Sequence, residues 1–149
     1  MRTQDALGLK GRLRLQLFGP DGALKQESFV KNSVTALGDA HVADQLSDQG
    51  NAAMSHMAVG TGTGGTTTLN TETARVALDS TTQGAAGDDN DVIYVATIPA
   101  GTGTGALTEA GVFNDVSAGT LFVLSEFAAI NKGASDSLVI TWTVTCGAT

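Results

Sequence analysis

Residues suited to acid–base, nucleophilic or metal chemistry are sparse in this chain, and their spacing assembles no reacting set. His41 and His56 are the two histidines, and Cys146 is the one cysteine. A hydrolytic triad needs a base held beside a serine or cysteine nucleophile. The Gly-x-Ser-x-Gly elbow does not occur. His41 falls on the apolar face of a predicted helix, where a buried imidazole is the expected role. Cys146 shares strand parity with Trp142 and reads as an inert core thiol. Asp88, Asp89 and Asp91 supply oxygen ligands of the kind calcium takes, but they lack the EF-hand spacing and its closing glutamate. They read as a solvated loop.

Gly60, Gly62 and Gly65 match the GxGxxG spacing of a dinucleotide loop. That motif works between a strand and a helix whose N-terminus faces the pyrophosphate. Thr66-Thr67-Thr68 is a poor helix start. A second tract, Gly101-Thr102-Gly103-Thr104-Gly105, nearly repeats the spacing, so composition alone produces the match. The pair fits either a decayed internal duplication or glycine turns reached independently, and the independent origin is favoured. Glu109 and Glu126 lie on or near strands that allow them to face each other. No catalytic, cofactor-binding or metal-binding residue is assigned, and no enzymatic activity is expected.

The elements that place these residues are strands. Leu138, Ile140, Trp142, Val144 and Cys146 share one parity, and Val139, Thr141, Thr143 and Thr145 the other. Successive strand side chains point to opposite faces, so this run has a heavy apolar face and a β-branched, mostly hydroxylated one. It is read as a central strand with Trp142, Ile140 and Val144 in the core. Leu13, Leu15 and Leu17 alternate with Arg12, Arg14 and Gln16 before the turn Gly19-Pro20-Asp21-Gly22, and residues 23–30 return as a hairpin. Val34, Leu37, His41, Val42, Gln45 and Leu46 recur at helical spacing, with Asn32, Ser33 or Thr35 as cap. Further strands are expected at 55–59, 74–80, 92–98, 106–114 and 120–127, with loops at 66–73, 81–91 and 131–137. The fold class is therefore all-β, an antiparallel β-sandwich of jelly-roll type with an N-terminal hairpin and one short helix near 34–47. Nineteen glycines and two prolines among 149 residues suit short strands and tight turns.

The net charge of −7 is unevenly spread. Residues 1–31 carry six basic against three acidic residues, net +3, whereas residues 32–149 carry two against twelve, net −10. An acidic body repels phosphates, so nucleic acid is not an expected partner. No segment approaches the length of a membrane span, and the first residues lack the apolar run of a signal peptide. Residues 1–31 are read as a basic arm and hairpin, part of the same domain or a docking element, and 32–149 as the sandwich body. The candidate docking residues are Arg12, Leu13, Arg14, Leu15, Leu17 and Lys25.

From residue 55 onward the chain resembles small virion structural proteins of tailed bacteriophages. The resemblance rests on residues 55–62, 74–78, 95–97, 101–114 and 130–143, above all Thr108-Glu109-Ala110-Gly111-Val112-Phe113-Asn114 together with Ile140-Thr141-Trp142-Thr143. It implies a non-enzymatic particle component without a cofactor. The favoured role is a capsid decoration or cement protein on the head surface. It would be made in the bacterial cytoplasm, with the major capsid protein and copies of itself, as a homotrimer, for partners. Thr108 to Asn114 also resembles a segment of tail-fibre and collar proteins, which makes a tail-associated structural or receptor-binding role the alternative.

Overall fold

A computed structural model describes residues 8–147. In chain order the elements are β1 (Leu9–Phe18), β2 (Leu24–Lys31), β3 (Ser33–Val34), α1 (Ala36–Ser47), β4 (His56–Gly60), β5 (Glu72–Ala77), β6 (Ser80–Gln83), β7 (Asp91–Ile98), β8 (Gly105–Phe113), β9 (Leu121–Lys132) and β10 (Ser137–Cys146). Every pairing is antiparallel. Two five-stranded sheets result: sheet I in the order β2-β1-β10-β7-β6, and sheet II in the order β3-β9-β8-β4-β5. The protein is an all-β antiparallel sandwich with one short helix.

β10 sits at the middle of sheet I because its alternation lets one whole face go inward. Leu138, Ile140, Trp142 and Val144 are fully buried, beside Leu13 and Leu15 of β1 and Tyr94 and Ala96 of β7 in register. They pack against Met57, Val59, Leu107, Val112 and Ile130 of sheet II. A smaller cluster, Ala58, Leu69, Phe113, Leu121 and Leu124, lies on the far side of sheet II, where residue 69 folds over it. Burial pushes the Tyr94 phenol up to about 12, with Cys146 adding to the shift.

Thr35 is the helix cap among the expected candidates. Its hydroxyl accepts the Gly38 N–H at 2.8 Å and donates to the Leu121 carbonyl, which fixes the helix start against β9. The helix begins at Ala36; Val34 belongs instead to β3, paired with Val123. Gly38 lets the helix approach closely, since a Cβ there would lie 2.3 Å from the Phe122 carbonyl oxygen. Alanine is favoured over glycine within a helix by about 1 kcal/mol. We nevertheless expect Gly38→Ala to destabilise by about 1–3 kcal/mol, because the overlap is with backbone. A urea midpoint unchanged or raised would contradict this packing.

The structure corrects the sequence reading in two places. Residues 81–83, which read as the start of a polar loop, form β6 together with Ser80, because their backbone pairs with β7 while all four side chains stay exposed. β9 runs on to Lys132, past the expected end at Phe127. The glycine tracts occupy unlike positions: the first joins β4 to β5 within sheet II, and the second carries the chain from β7 in sheet I to β8 in sheet II. Of the expected arm at residues 1–10, the first seven residues lie outside the described residues, and from Leu9 the chain is strand.

Candidate docking surface

Sheet II is covered on its far side by its own loops, whereas the outer face of sheet I carries the odd-parity residues of β10 and their neighbours. The register sets them in rows. Lys31, Arg12, Thr143, Ile93 and Thr82 form one row, and Phe29, Arg14, Thr141, Val95 and Ser80 the next. Glu27, Gln16, Val139 and Thr97 form a third. The face is thus cationic at β1 and β2, with threonine and aliphatic side chains toward β7. Phe29 is 70% exposed. Arg14 bonds Glu27 at 3.0 Å and lies over the Phe29 ring at 5.9 Å. An exposed pair of this kind contributes about 0–1 kcal/mol, so these charges steer partners more than they hold the fold.

The six candidate docking residues divide between this face and the interior. Arg12 and Arg14 are on the outer face. Leu13, Leu15 and Leu17 are at most 3% exposed, and the reading of them as contacts for a partner is corrected. β1 is bonded on both sides, to β2 and β10, so its apolar parity is part of this chain's own core. Lys25 is held by Asp136, at 2.9 and 3.1 Å, and ties the β1–β2 hairpin to the β9–β10 turn.

That contact has a pH signature. The Lys25 hydrogen bond, the Gly133 N–H and the charges of Lys25 and Lys132 hold the Asp136 carboxyl below its usual range, against the opposing effect of burial. A carboxylate depressed in the folded state adds stability above its unfolded value and loses it as pH falls through the folded one. Asp136→Asn should therefore lower the urea midpoint near neutrality. The two proteins should converge as pH drops below the ordinary carboxylate range. Parallel curves at all pH values would contradict the contact. Nearby, burial lowers the buried Lys132 ammonium below its usual value, partly offset by Asp136, and it donates to the Pro99 carbonyl at 2.9 Å.

The glycine loop after β4 has a different use from phosphate binding. Glu109 and Glu126 stand opposite one another in the β8–β9 register. Fully buried Glu109 accepts the backbone N–H groups of Gly62, Asn70 and Thr71 at 3.1, 2.9 and 2.7 Å, and Glu126 accepts that of Gly64. The donors a dinucleotide loop would turn to phosphate are turned here to this chain's own carboxylates. Arg75 reinforces the same region: it stacks 3.7 Å from the Phe113 ring centre, pairs with Glu72 at 2.7 Å, and donates to the Asp115 and Ala118 carbonyls. The sequence allows Glu109 and Glu126 to face each other, and the structure shows that they do, but the loop they hold is not legible in it. The available signal was a glutamate inside the otherwise apolar run 106–113, beside a glycine-rich loop.

The remaining candidates stay apart. Asp91 is buried and accepts the Thr145 hydroxyl, while Asp88 and Asp89 are exposed. Among the described residues no group of three or more His, Cys, Asp or Glu is placed to hold a metal ion. Ser55 Oγ lies 2.8 Å from Nδ1 of adjacent His56, and among the described residues no carboxylate bonds that ring. His41 is buried beside Phe122, and burial lowers its pKa against the opposing pull of Asp44. Cys146 is half-buried at the end of β10, a less complete burial than its parity implied.

Among the described residues no helix is long and apolar enough to cross a membrane. No curated protein and no solved structure matches the chain. One family does: the family described as phage tail-collar fibre protein, N-terminal, matches residues 26–145, which take in every strand from β3 to β9, most of β2 and nearly all of β10. The expected virion component is thereby a phage structural protein, and the match fits the tail alternative better than capsid decoration. The chain belongs to the phage tail-collar fibre protein family, in its N-terminal part.

Proposed function

We propose that the protein is a non-enzymatic structural component of a phage tail, built into its collar-fibre region as a docking domain. The observation that carries this reading is the family match across residues 26–145. The structure is compatible with such a role: a rigid sandwich whose loops are tied down by Glu109, Glu126 and Arg75, with the outer face of sheet I left for contacts. Its partners in this reading are other tail proteins and copies of itself, met through Arg12, Arg14 and Phe29 and not through the buried leucines. The major capsid protein is a partner only in the head reading, which no observation beyond the sequence resemblance favours.

Separating purified particles into heads and tails and quantifying this chain's peptides by mass spectrometry tests the proposal. Enrichment in the tail fraction is expected. Recovery with the heads, at copy numbers approaching those of the shell protein, would overturn it and restore the decoration role.

A further inference from the structure

We propose that copies of this chain join edge to edge, β2 of one against β6 of the next, so that sheet I continues across the contact. The inference concerns self-association and stands whether the particle location is tail or head. β2 and β6 are the two outermost strands of sheet I, and among the described residues each is paired on one side only. A free edge presents a row of unpaired N–H and C=O groups, a template for another strand. β2 offers eight residues without proline, with Phe29 70% and Leu24 50% exposed. β6 offers Ser80, Thr81, Thr82 and Gln83, all exposed and three of them hydroxylated.

Charge selects this pairing over the alternatives. β2 carries Lys31 with Arg12 beside it, its Glu27 being paired with Arg14, while exposed Asp79, Asp88 and Asp89 flank β6. The two edges are four strand spacings apart, about 19 Å, beyond the screening length at physiological salt. They cannot neutralise each other within one chain, but a second copy brings them together. Pairing β2 with the β2 of another copy would set the two cationic edges side by side, a like-charge arrangement that costs association. In the β2–β6 contact Phe29 lies along the Ser80 and Thr82 side, in the rows that continue to Val95 and Ile93. Aromatic and β-branched neighbours of this kind stabilise strand pairs. Because the two edges differ, the contact is head-to-tail, and it closes into a ring when the rotation between copies allows. A trimer is one such ring.

Cysteine cross-linking reads the geometry directly. In a Cys146→Ser background, Phe29→Cys and Thr82→Cys are made in separate chains; both sites are exposed, so neither removes core packing. Mixed under mild oxidation, the two proteins should form disulfide-linked dimers, and neither alone should. A Phe29→Cys protein that links to itself would overturn the head-to-tail contact in favour of a two-fold one. Absence of any link in the mixture would overturn the contact altogether. In sedimentation at low salt, Arg12→Glu with Lys31→Glu should weaken association about tenfold. Adding Asp88→Lys and Asp89→Lys to the same chain should restore it. An unchanged affinity in the first variant, or no recovery in the second, would contradict the charge pairing.

Discussion

Trp142→Ala is expected to destabilise the protein by about 3–5 kcal/mol, the range for removing a large aromatic from a packed core. Trp142 is fully buried at the centre of β10, the central strand of sheet I, so the cavity would open where the two sheets meet. The ring also has a polar task. Its Nε1–H donates to Asn32 Oδ1 at 2.9 Å, at the chain segment that passes from β2 in sheet I to β3 in sheet II. Gly11 is what gives Asn32 room, since a Cβ there would fall 1.9 Å from that oxygen. Among the described residues Asn32 Nδ2 is buried without a partner, so the tryptophan bond recovers part of the cost of burying this amide. Trp142→Phe keeps most of the apolar contact and should cost less than Trp142→Ala, with about 1–3 kcal/mol of its effect from the orphaned acceptor. Urea unfolding measures both. A Trp142→Ala loss below about 1 kcal/mol would mean that the core is not organised around β10.

Glu109→Ala should be nearly as costly, about 2–4 kcal/mol, because it strands three part-buried backbone donors at Gly62, Asn70 and Thr71 that no longer find a carboxylate. The loss should be local in character. The amides of those three residues should lose hydrogen-exchange protection, while those of β1 and β10 keep theirs relative to the new global stability. Glu109→Gln retains the size and one acceptor oxygen but turns an NH2 group toward a backbone N–H. It should therefore fall between wild type and alanine. If Glu109→Ala unfolds at the wild-type urea concentration and the three amides exchange as before, the carboxylate is not the anchor of the glycine loop.

Strand parity was the strongest signal in the sequence, and it carried the fold wherever one face met the core and the other solvent. The alternation in 138–144 located the central strand, and that in 12–17 located its neighbour. The same alternation does not distinguish docking from core: apolar parity says that Leu13, Leu15 and Leu17 are buried, not by whom. Only the pairing of β1 with β10 shows that the burial is internal. β6 was illegible because Ser80-Thr81-Thr82-Gln83 has no apolar parity at all; its strand character comes from main-chain bonds to β7. The helix was legible through its cap and spacing, yet Leu46 is 79% exposed, because only part of the apolar stripe meets β9. In the docking face, the cationic residues were readable from charge and parity. Phe29 was not, since its exposure depends on β2 lying at a sheet edge. Lys25 reads as a docking residue because Asp136, the carboxylate it meets, lies 111 positions away in sequence, and such a pair shows only after the chain has folded.

A structural part of the tail, as proposed for this chain, is found on the tail of the intact particle. Electron microscopy of intact virions labelled with gold-conjugated antibody against the folded protein tests it most directly. Gold confined to the tail, at its collar or fibres, is the expected result. Gold spread over the head shell, with none on the tail, would contradict it.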